Sequence, residues 1–331
     1  GRFLTEVSPY GHIAPLAGAL EFEDTDGTLT TLVLVQGLVA SQGDAWSDTL
    51  ASLSRFLDAC RQQPDAMRAR LDTCHAAVLR QLSALGRRIG ELHCALATPS
   101  GDPAFDPQPI TPADLHHWVQ QVGDEAAQTL DQLERHLPRL AHDQQPRAQG
   151  LLMERPTVLA KIQAWLPLAV KAVITRYHGD FHLGQVLRVN EDFVLIDFEG
   201  EPGRTLQQRR CKHSPLRDVA GMLRSFNYAA NTALTQAVAE HAASVDLLEP
   251  FVIDWERRAR IAFLAGYREA VRACPAYPDD PQAAASLLQL FELEKAFYEL
   301  RYELDNRPDW VHVPLGGLTT LLLKNNRQHL H

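Results

Sequence analysis

No apolar run among these 331 residues approaches the roughly 20 needed to cross a bilayer; stretches such as "TLVLV" and "LPLAVKAVI" stop far short, and no signal-peptide pattern precedes them. Cysteine is sparse too, with five residues at 60, 74, 94, 211 and 274, no CxxC pair and no zinc-ribbon spacing. The expectation is reduced thiols in a soluble, cytoplasmic protein. Positive charge is not in excess: 41 acidic residues face 32 lysines and arginines, the net charge is −9, and the signs are scattered rather than blocked. That balance argues against nucleic acid or an anionic membrane as the main partner and favours a small molecule. Internal repeats and low-complexity segments are absent as well. What the chain does have is core material, 45% hydrophobic residues in a length that suits one large domain or two ordinary ones.

The opening "GRFLTEV" reads like the last turns of a helix already under way, with no N-cap residue before it. Two β-branched apolar runs, "ALEFED" and "TLTTLVLVQGLV", flank "DTDGT", whose Asp26-Gly27 pair predicts a hairpin. Helical spacing starts at Ser47, with Leu50, Leu53, Phe56 and Leu57 on one face. It returns over 76–97, where Leu79, Leu82, Leu85, Ile89, Leu92 and Leu96 form a stripe that should be deeply buried. Residues 98–112 are rich in Pro, Gly and Asp and predict a loop; helices are expected from Asp114 to about Leu137 and over roughly 156–169, with a polar separator near 141–149. Short strands follow in "AVITRYH", "QVLRV" and "FVLIDF", and from Pro215 to about Asn306 the chain reads as helical. Hairpin, helices, a small β insertion and more helices make an α+β arrangement rather than alternating βαβ units.

Chemistry concentrates in "RYHGDFHLGQVLRVNEDFVLIDFEGEP", where His178, Asp180, His182, Asp197, Glu199 and Glu201 fall within 24 residues. Six ionisable groups so close together are costly to bury without a task. Gln185 stands five residues after Asp180, and Asp197 seventeen after it at the end of an apolar strand. A loop, strand, turn and strand would fold Asp197 back beside the loop. There, an Asp able to accept a hydroxyl proton would face an amide oxygen and a second carboxylate able to hold Mg²⁺ against a nucleotide's phosphates. The spacing is similar to the kinase catalytic loop, with Gln185 where Asn usually stands and "DFE" where "DFG" usually stands. Glu199 in place of glycine argues against a mobile activation loop. The rival is a metal site, because His178-x-Asp180-x-His182 resembles the ligand strings of binuclear hydrolases. Against it, Gly179 and Gly184 interrupt the strand it needs, and His116-His117 falls on a helical, exposed segment.

"HGDFHLGQVL", "IDFEGEP", "KHSPLRDVAGMLRSFNYAA" and "FELEKAFYELRYELDNRPDW" closely resemble the maltokinases, both free enzymes and domains fused behind trehalose synthase. The likeness extends to "LVQGLVASQGDAWSDTL" and "LGRRIGELHCALA", whereas the wider aminoglycoside-phosphotransferase-like group shares only the "HGD" and "IDFE" fragments. This resemblance implies a protein-kinase-like fold: residues 1–40 as the end of a nucleotide-binding lobe and its linker, and 41–331 as a helical C-terminal lobe carrying the catalytic loop and β-hairpin at 172–202. It implies ATP-dependent phosphorylation of maltose to maltose 1-phosphate, with Asp180 as base and Gln185 and Asp197 as Mg²⁺ ligands. Backbone groups near Gln36 and Leu38 would meet adenine. His182, Glu199, Lys212, Tyr298 and Tyr302 are substrate-side candidates, Tyr298 and Tyr302 because aromatic faces beside carboxylates suit a disaccharide. Arg217, near Lys212, could meet phosphate or sugar. His178 and Asp218 read as braces of the loop. A trehalose synthase domain, fused or associated, is the implied partner.

One element of that pattern is missing. A kinase-type nucleotide lobe supplies a lysine for the phosphates, yet no lysine precedes Lys161. The expectation is therefore a chain truncated at its N-terminus and, as it stands, weak or inactive. Two alternatives remain open: a kinase for another hydroxyl substrate of the aminoglycoside or choline type, and a non-catalytic binding module associated with trehalose synthase.

Overall fold

The computed structural model describes residues 1–27, 29–164, 169–241 and 245–323. A five-residue helical turn, Phe3–Val7, buries Phe3 and Leu4 where the sequence suggested the tail of a longer helix. The hairpin follows, with β1 (Leu16–Glu23) antiparallel to β2 (Leu29–Gln36) and Leu20 opposite Val33. Its turn needs a left-handed residue, which Gly27 supplies at φ +83°. A ribbon packed on one face would alternate buried and exposed side chains. Here Leu20, Phe22, Leu32, Val33, Leu34 and Val35 are all 49–59% exposed, so both faces are bare.

Helix α1 (Ala45–Gln62) starts where Asp44 accepts the N–H of Ser47 at 2.8 Å, the N-cap that "QGDAWS" encodes. Two short helices, α2 (Pro64–Arg68) and α3 (Leu71–Cys74), lead into α4 (Ala76–Leu96). A two-residue strand β3 (Gln108–Pro109) interrupts the expected loop before α5 (Pro112–His136), which opens on a Thr111/Asp114 capping box. The polar stretch near 145 is helical rather than a separator: α6 (Gln145–Met153) precedes α7 (Arg155–Ala164), and the last residues of the helix expected over 156–169 include 165–168, outside the described residues. Three more strands, β4 (Val173–Ile174), β5 (Val186–Val189) and β6 (Asp192–Leu195), surround the acid-rich segment. Then come α8 (Leu206–Arg210), α9 (Leu216–His241), α10 (Val245–Ala270), α11 (Pro281–Asn306) and α12 (His312–Leu323). Among the described residues the strands form three separate two-stranded sheets, β1-β2, β3-β4 and β5-β6.

The core is helical. The stripe of α4 is buried from Leu82 to Leu96, with Leu85, Ile89 and Leu92 fully inside, while Leu79 on the first turn is only partly covered. Its crossing with α10 is closer than side chains would allow: a Cβ on Gly86 would lie 2.0 Å from the Phe263 carbonyl oxygen, and one on Gly266 1.9 Å from that of Ser83. Glycine costs a helix about 1 kcal/mol against alanine, and here that cost permits backbone-to-backbone packing. The same α4 holds the β5-β6 ribbon, because the Arg88 guanidinium grips the Asp192 carboxylate at 2.8 and 2.7 Å. Backbone bonds from Leu195 to His12 and from Arg188 to Gly43 fix the ribbon's other sides. The loop between β4 and β5 is thereby suspended over the N-terminus of α9.

Candidate active site

In "HGDFHLG" the apolar side chains alternate with polar ones, and the fold uses that alternation. Phe181 and Leu183 are buried, and the Leu183 N–H is satisfied by the Ser225 hydroxyl at 3.1 Å. Asp180 and His182 are left partly open. Gly179 takes φ +89°, and a Cβ there would lie 3.1 Å from the Gly200 Cα, so the turn into Asp180 is reserved for glycine.

Asp218, on the first turn of α9, ties the loop down. Its buried carboxylate accepts the N–H of His178 at 2.8 Å and of Gly179 at 2.9 Å, and faces the His93 ring nitrogen at 3.1 Å. Burial opposes the charge, but His93 and these donors hold the Asp218 pKa below the ordinary carboxylate range. His93 is in turn fixed by the Tyr267 hydroxyl at 3.0 Å. His178 spans the loop: its Nε2 donates to the Ile196 carbonyl at 2.8 Å, which leaves Nδ1 as acceptor facing the Asp180 N–H at 3.4 Å. With both ring nitrogens engaged and the ring buried, His178 is not placed as a metal ligand, and no group of three or more His, Cys, Asp or Glu with metal-site geometry occurs among the described residues.

The β5-β6 ribbon returns Asp197 to the loop. Asp197 adopts φ +64°, a left-handed conformation that aspartate tolerates better than most residues. The turn brings its Oδ2 to 2.8 Å from Gln185 Nε2. With the amide nitrogen so engaged, Gln185 Oε1 and the exposed Asp197 carboxylate present oxygen donors, the chemistry that Mg²⁺ prefers. As oxygen donors the two residues fit the ligand chemistry of that ion.

Asp180 opens onto a small polar cleft bounded by the 199–204 loop, the start of α9 and one face of α11. Around it stand Tyr177, Glu201, Arg204, Arg217, Glu294, Lys295 and Tyr298. Charges alternate along this wall. Lys295 Nζ lies 2.6 Å from Glu201 and 3.6 Å from Asp180 Oδ1, Arg204 joins Glu201 at 2.8 Å to Glu294 at 3.4 Å, and Glu294 also pairs with Arg217. Burial would raise the Glu201 pKa, but Lys295 and Arg204 pull it down to about 2. Tyr298 lies under the Lys295 ammonium, 4.8 Å from ring centroid to Nζ.

The sequence-derived candidates divide accordingly. Asp180 and Tyr298 meet in the cleft, and Gln185 meets Asp197. His182 lies beside Asp180, Nε2 to Oδ2 3.9 Å; its pKa is lowered by burial, against the pull of the Asp180 charge. Glu199 is exposed on the adjoining loop. Lys212 is elsewhere, since its ammonium is spent on the carbonyls of Pro103 and Asp106 at 2.7 and 2.6 Å. Tyr302 is also removed from the cleft, because one further helical turn carries it to the surface, 45% exposed under the Arg307 guanidinium. Gln36 is exposed at the end of β2, and Leu38 is 100% exposed just beyond it. Sequence reasoning gave no role to Tyr177, Glu201, Arg204 or Lys295. A signal for Lys295 existed: it sits three residues before Tyr298, hence on the same helical face.

No protein-family model matches the chain. It is 26% identical over 239 residues to a glucosamine kinase of Streptacidiphilus jiangxiensis, covering 72% of this chain and 48% of that protein. It is 26% identical over 308 residues to a glucosamine kinase of Mycolicibacterium smegmatis, covering 92% of this chain. The chain thus spans about half the length of the first relative and 66% of the second. Among solved structures, a glucosamine kinase in complex with glucosamine, ADP and inorganic phosphate superposes with a TM-score of 0.75 at 22% identity, over 99% of this chain and 72% of that one. A second crystal form of a glucosamine kinase gives 0.70 at 22% identity, over 98% of this chain and 68% of that one. The chain therefore shares the α+β fold of these kinases over nearly its whole described length.

Proposed function

We propose that the protein containing this chain is a sugar kinase that transfers the γ-phosphoryl group of ATP to a sugar hydroxyl. The observation that carries this reading is the placement of Asp180 at a polar cleft while a β turnback sets Gln185 and Asp197 together as an oxygen-donor pair. In the step itself, the acceptor hydroxyl gives its proton to the Asp180 carboxylate as its oxygen bonds to the γ-phosphorus, and the bond to the β-phosphate oxygen breaks to release ADP. Gln185 and Asp197 would hold Mg²⁺, which when bound neutralises phosphate charge. His178 and Asp218 keep Asp180 in place rather than react. Gln36 and the backbone at Leu38 would border the adenine.

The acceptor we propose is maltose, giving maltose 1-phosphate, with trehalose synthase as the fused or associated partner. The sequence resemblance supports that choice, and so does the charge pattern of the cleft. An ammonium-bearing acceptor needs an uncommitted carboxylate, whereas Glu201 and Glu294 each serve two cations and Asp218 is enclosed. A neutral, hydroxyl-rich sugar can bond to such paired groups without displacing them. Glucosamine is the second reading, favoured by the names of the relatives and by the Asp180 carboxylate lining the cleft. An ADP-release assay on the full natural polypeptide with Mg·ATP decides between them. Turnover with maltose supports the first reading, turnover with glucosamine alone replaces it, and turnover with neither, or only with an aminoglycoside or choline, rejects both. Sugar binding by calorimetry without any response to nucleotide would instead mark a binding module.

A further inference from the structure

We infer that Lys295 is a positioning residue for Asp180, coupling the orientation of the reacting carboxylate to the 199–204 loop and to α11. This rests on the sugar-kinase reading and assigns a function to a side chain that the sequence did not single out. Three contacts define it. The ammonium is joined to Glu201 Oε1 at 2.6 Å, stands 3.6 Å from Asp180 Oδ1, and rests over the Tyr298 ring at 4.8 Å.

A lysine is a flexible point charge on a four-carbon stem, and left free it would swing toward any phosphate or sugar oxygen. Here the side chain rises from α11 and is only 27% exposed. Glu201 anchors the head, and Arg204 holds Glu201 at 2.8 Å. Arg204 is in turn held by Glu294, which Arg217 also grips. The chain of alternating charges therefore runs from α9 through the 199–204 loop and α11 to the reacting carboxylate, and Lys295 is its last link.

Asp180 needs that link. The Asp180 N–H to His178 Nδ1 contact is long at 3.4 Å and positions backbone, not carboxylate. The side chain has His182 at 3.9 Å on Oδ2 and Lys295 at 3.6 Å on Oδ1. Of these two, Lys295 is the nearer, and its ammonium is itself anchored by Glu201 at 2.6 Å. A carboxylate with one oxygen drawn toward a fixed ammonium presents the other in a single orientation. Orientation of a proton acceptor to within a fraction of an ångström is worth orders of magnitude in rate.

The experiment compares the full natural polypeptide with its Lys295→Met and Lys295→Arg variants in steady-state kinetics, with maltose and with glucosamine. A positioning role predicts that Lys295→Met lowers kcat at least about 30-fold while the KM values for sugar and ATP stay within about threefold, and that Lys295→Arg recovers most of the loss. It also predicts that Lys295→Met adds little to a Glu201→Gln variant, since both cut the same link. A rise in sugar KM with kcat unchanged would make Lys295 a sugar contact, and a rise in ATP KM a phosphate contact; either overturns the inference. So does a loss of melting temperature with normal kinetics. If wild type turns over neither sugar, the sugar-kinase reading fails, and the inference is judged by crystal structures alone: Asp180 should lose its single side-chain orientation in Lys295→Met, and an unmoved Asp180 refutes the coupling.

Discussion

The Gly179 N–H points at Oδ1 of Asp218 across 2.9 Å, so a helix-borne carboxylate holds the left-handed turn that delivers Asp180 to the cleft. Asp218→Asn keeps the shape but sets an NH2 group against one of two backbone N–H donors in a buried site. Breaking a buried, charge-assisted cluster from one side costs about 3–5 kcal/mol. Urea unfolding should show a loss of that order, and turnover should fall by more than tenfold because Asp180, the proposed base, is no longer held. A variant as stable and active as wild type would mean the brace is ornamental.

Gly221 sits one turn into α9, and a Cβ there would be 2.7 Å from the Phe181 carbonyl oxygen. Gly221→Ala gains about 1 kcal/mol in helix propensity but must move the loop backbone beside Asp180, an overpacking that costs about 1–3 kcal/mol. The net expectation is a slightly less stable protein with activity reduced more than stability. Gly150, in α6, has nothing within 4 Å of its would-be Cβ, so Gly150→Ala should be neutral to about 1 kcal/mol stabilising. Paired melting and activity measurements on the two variants separate a helix effect from a loop effect.

How much of this was legible beforehand depended on whether the information was local. Most of the α4 stripe and the hairpin turn at Gly27 are set by short-range periodicity and turn chemistry, and the structure places them where those rules do, whereas the caps at Asp44 and Thr111 start their helices two residues before the expected Ser47 and Asp114. The pairing of Gln185 with Asp197 was legible for the same reason, since one short ribbon joins them. The Lys295–Glu201 pair was not, because 94 residues separate its members and only the packing of α11 on the 199–204 loop brings them together. Tyr302 lies outside the cleft for a geometric reason: helical spacing puts it near Tyr298, but the next turn carries it to the surface. Lys212 is bonded elsewhere because a lysine within a polar loop finds backbone carbonyls as readily as a ligand.

Glu201 gives the cleft a pH signature. Burial opposes its charge, but Lys295 and Arg204 lower its pKa from an ordinary 4.5 to about 2, which is worth about 3 kcal/mol. Because the folded-state value lies below the unfolded one, this stabilisation is fully present above about pH 4.5 and is lost as pH falls toward 2. Glu201→Gln should therefore be less stable than wild type at pH 7, with the gap closing through that acid window. Thermal melts at half-unit pH intervals check it, and a gap that stays constant down to pH 2.5 would show that Glu201 is not held by its cations.

The β1-β2 ribbon makes the last prediction. Cross-strand pairs such as Leu20–Val33 and Ala19–Leu34 place apolar side chains on opposite faces, and neither face is covered by another described element. An isolated ribbon of this kind is marginal in water, and apolar residues on both sides leave a surface of the sort that marks association. The 331-residue chain studied alone should bind the dye ANS and elute in part as larger species at micromolar concentration. Val33→Lys combined with Leu34→Lys places one charge on each face and should suppress both signals. Because the helical core lies elsewhere, the main unfolding transition should shift by no more than about 0.5 kcal/mol, the usual range for exposed substitutions. Dye binding unchanged by the double substitution would assign the exposed apolar surface to another part of the molecule, and a large loss of stability would mean that the ribbon is packed against something in solution.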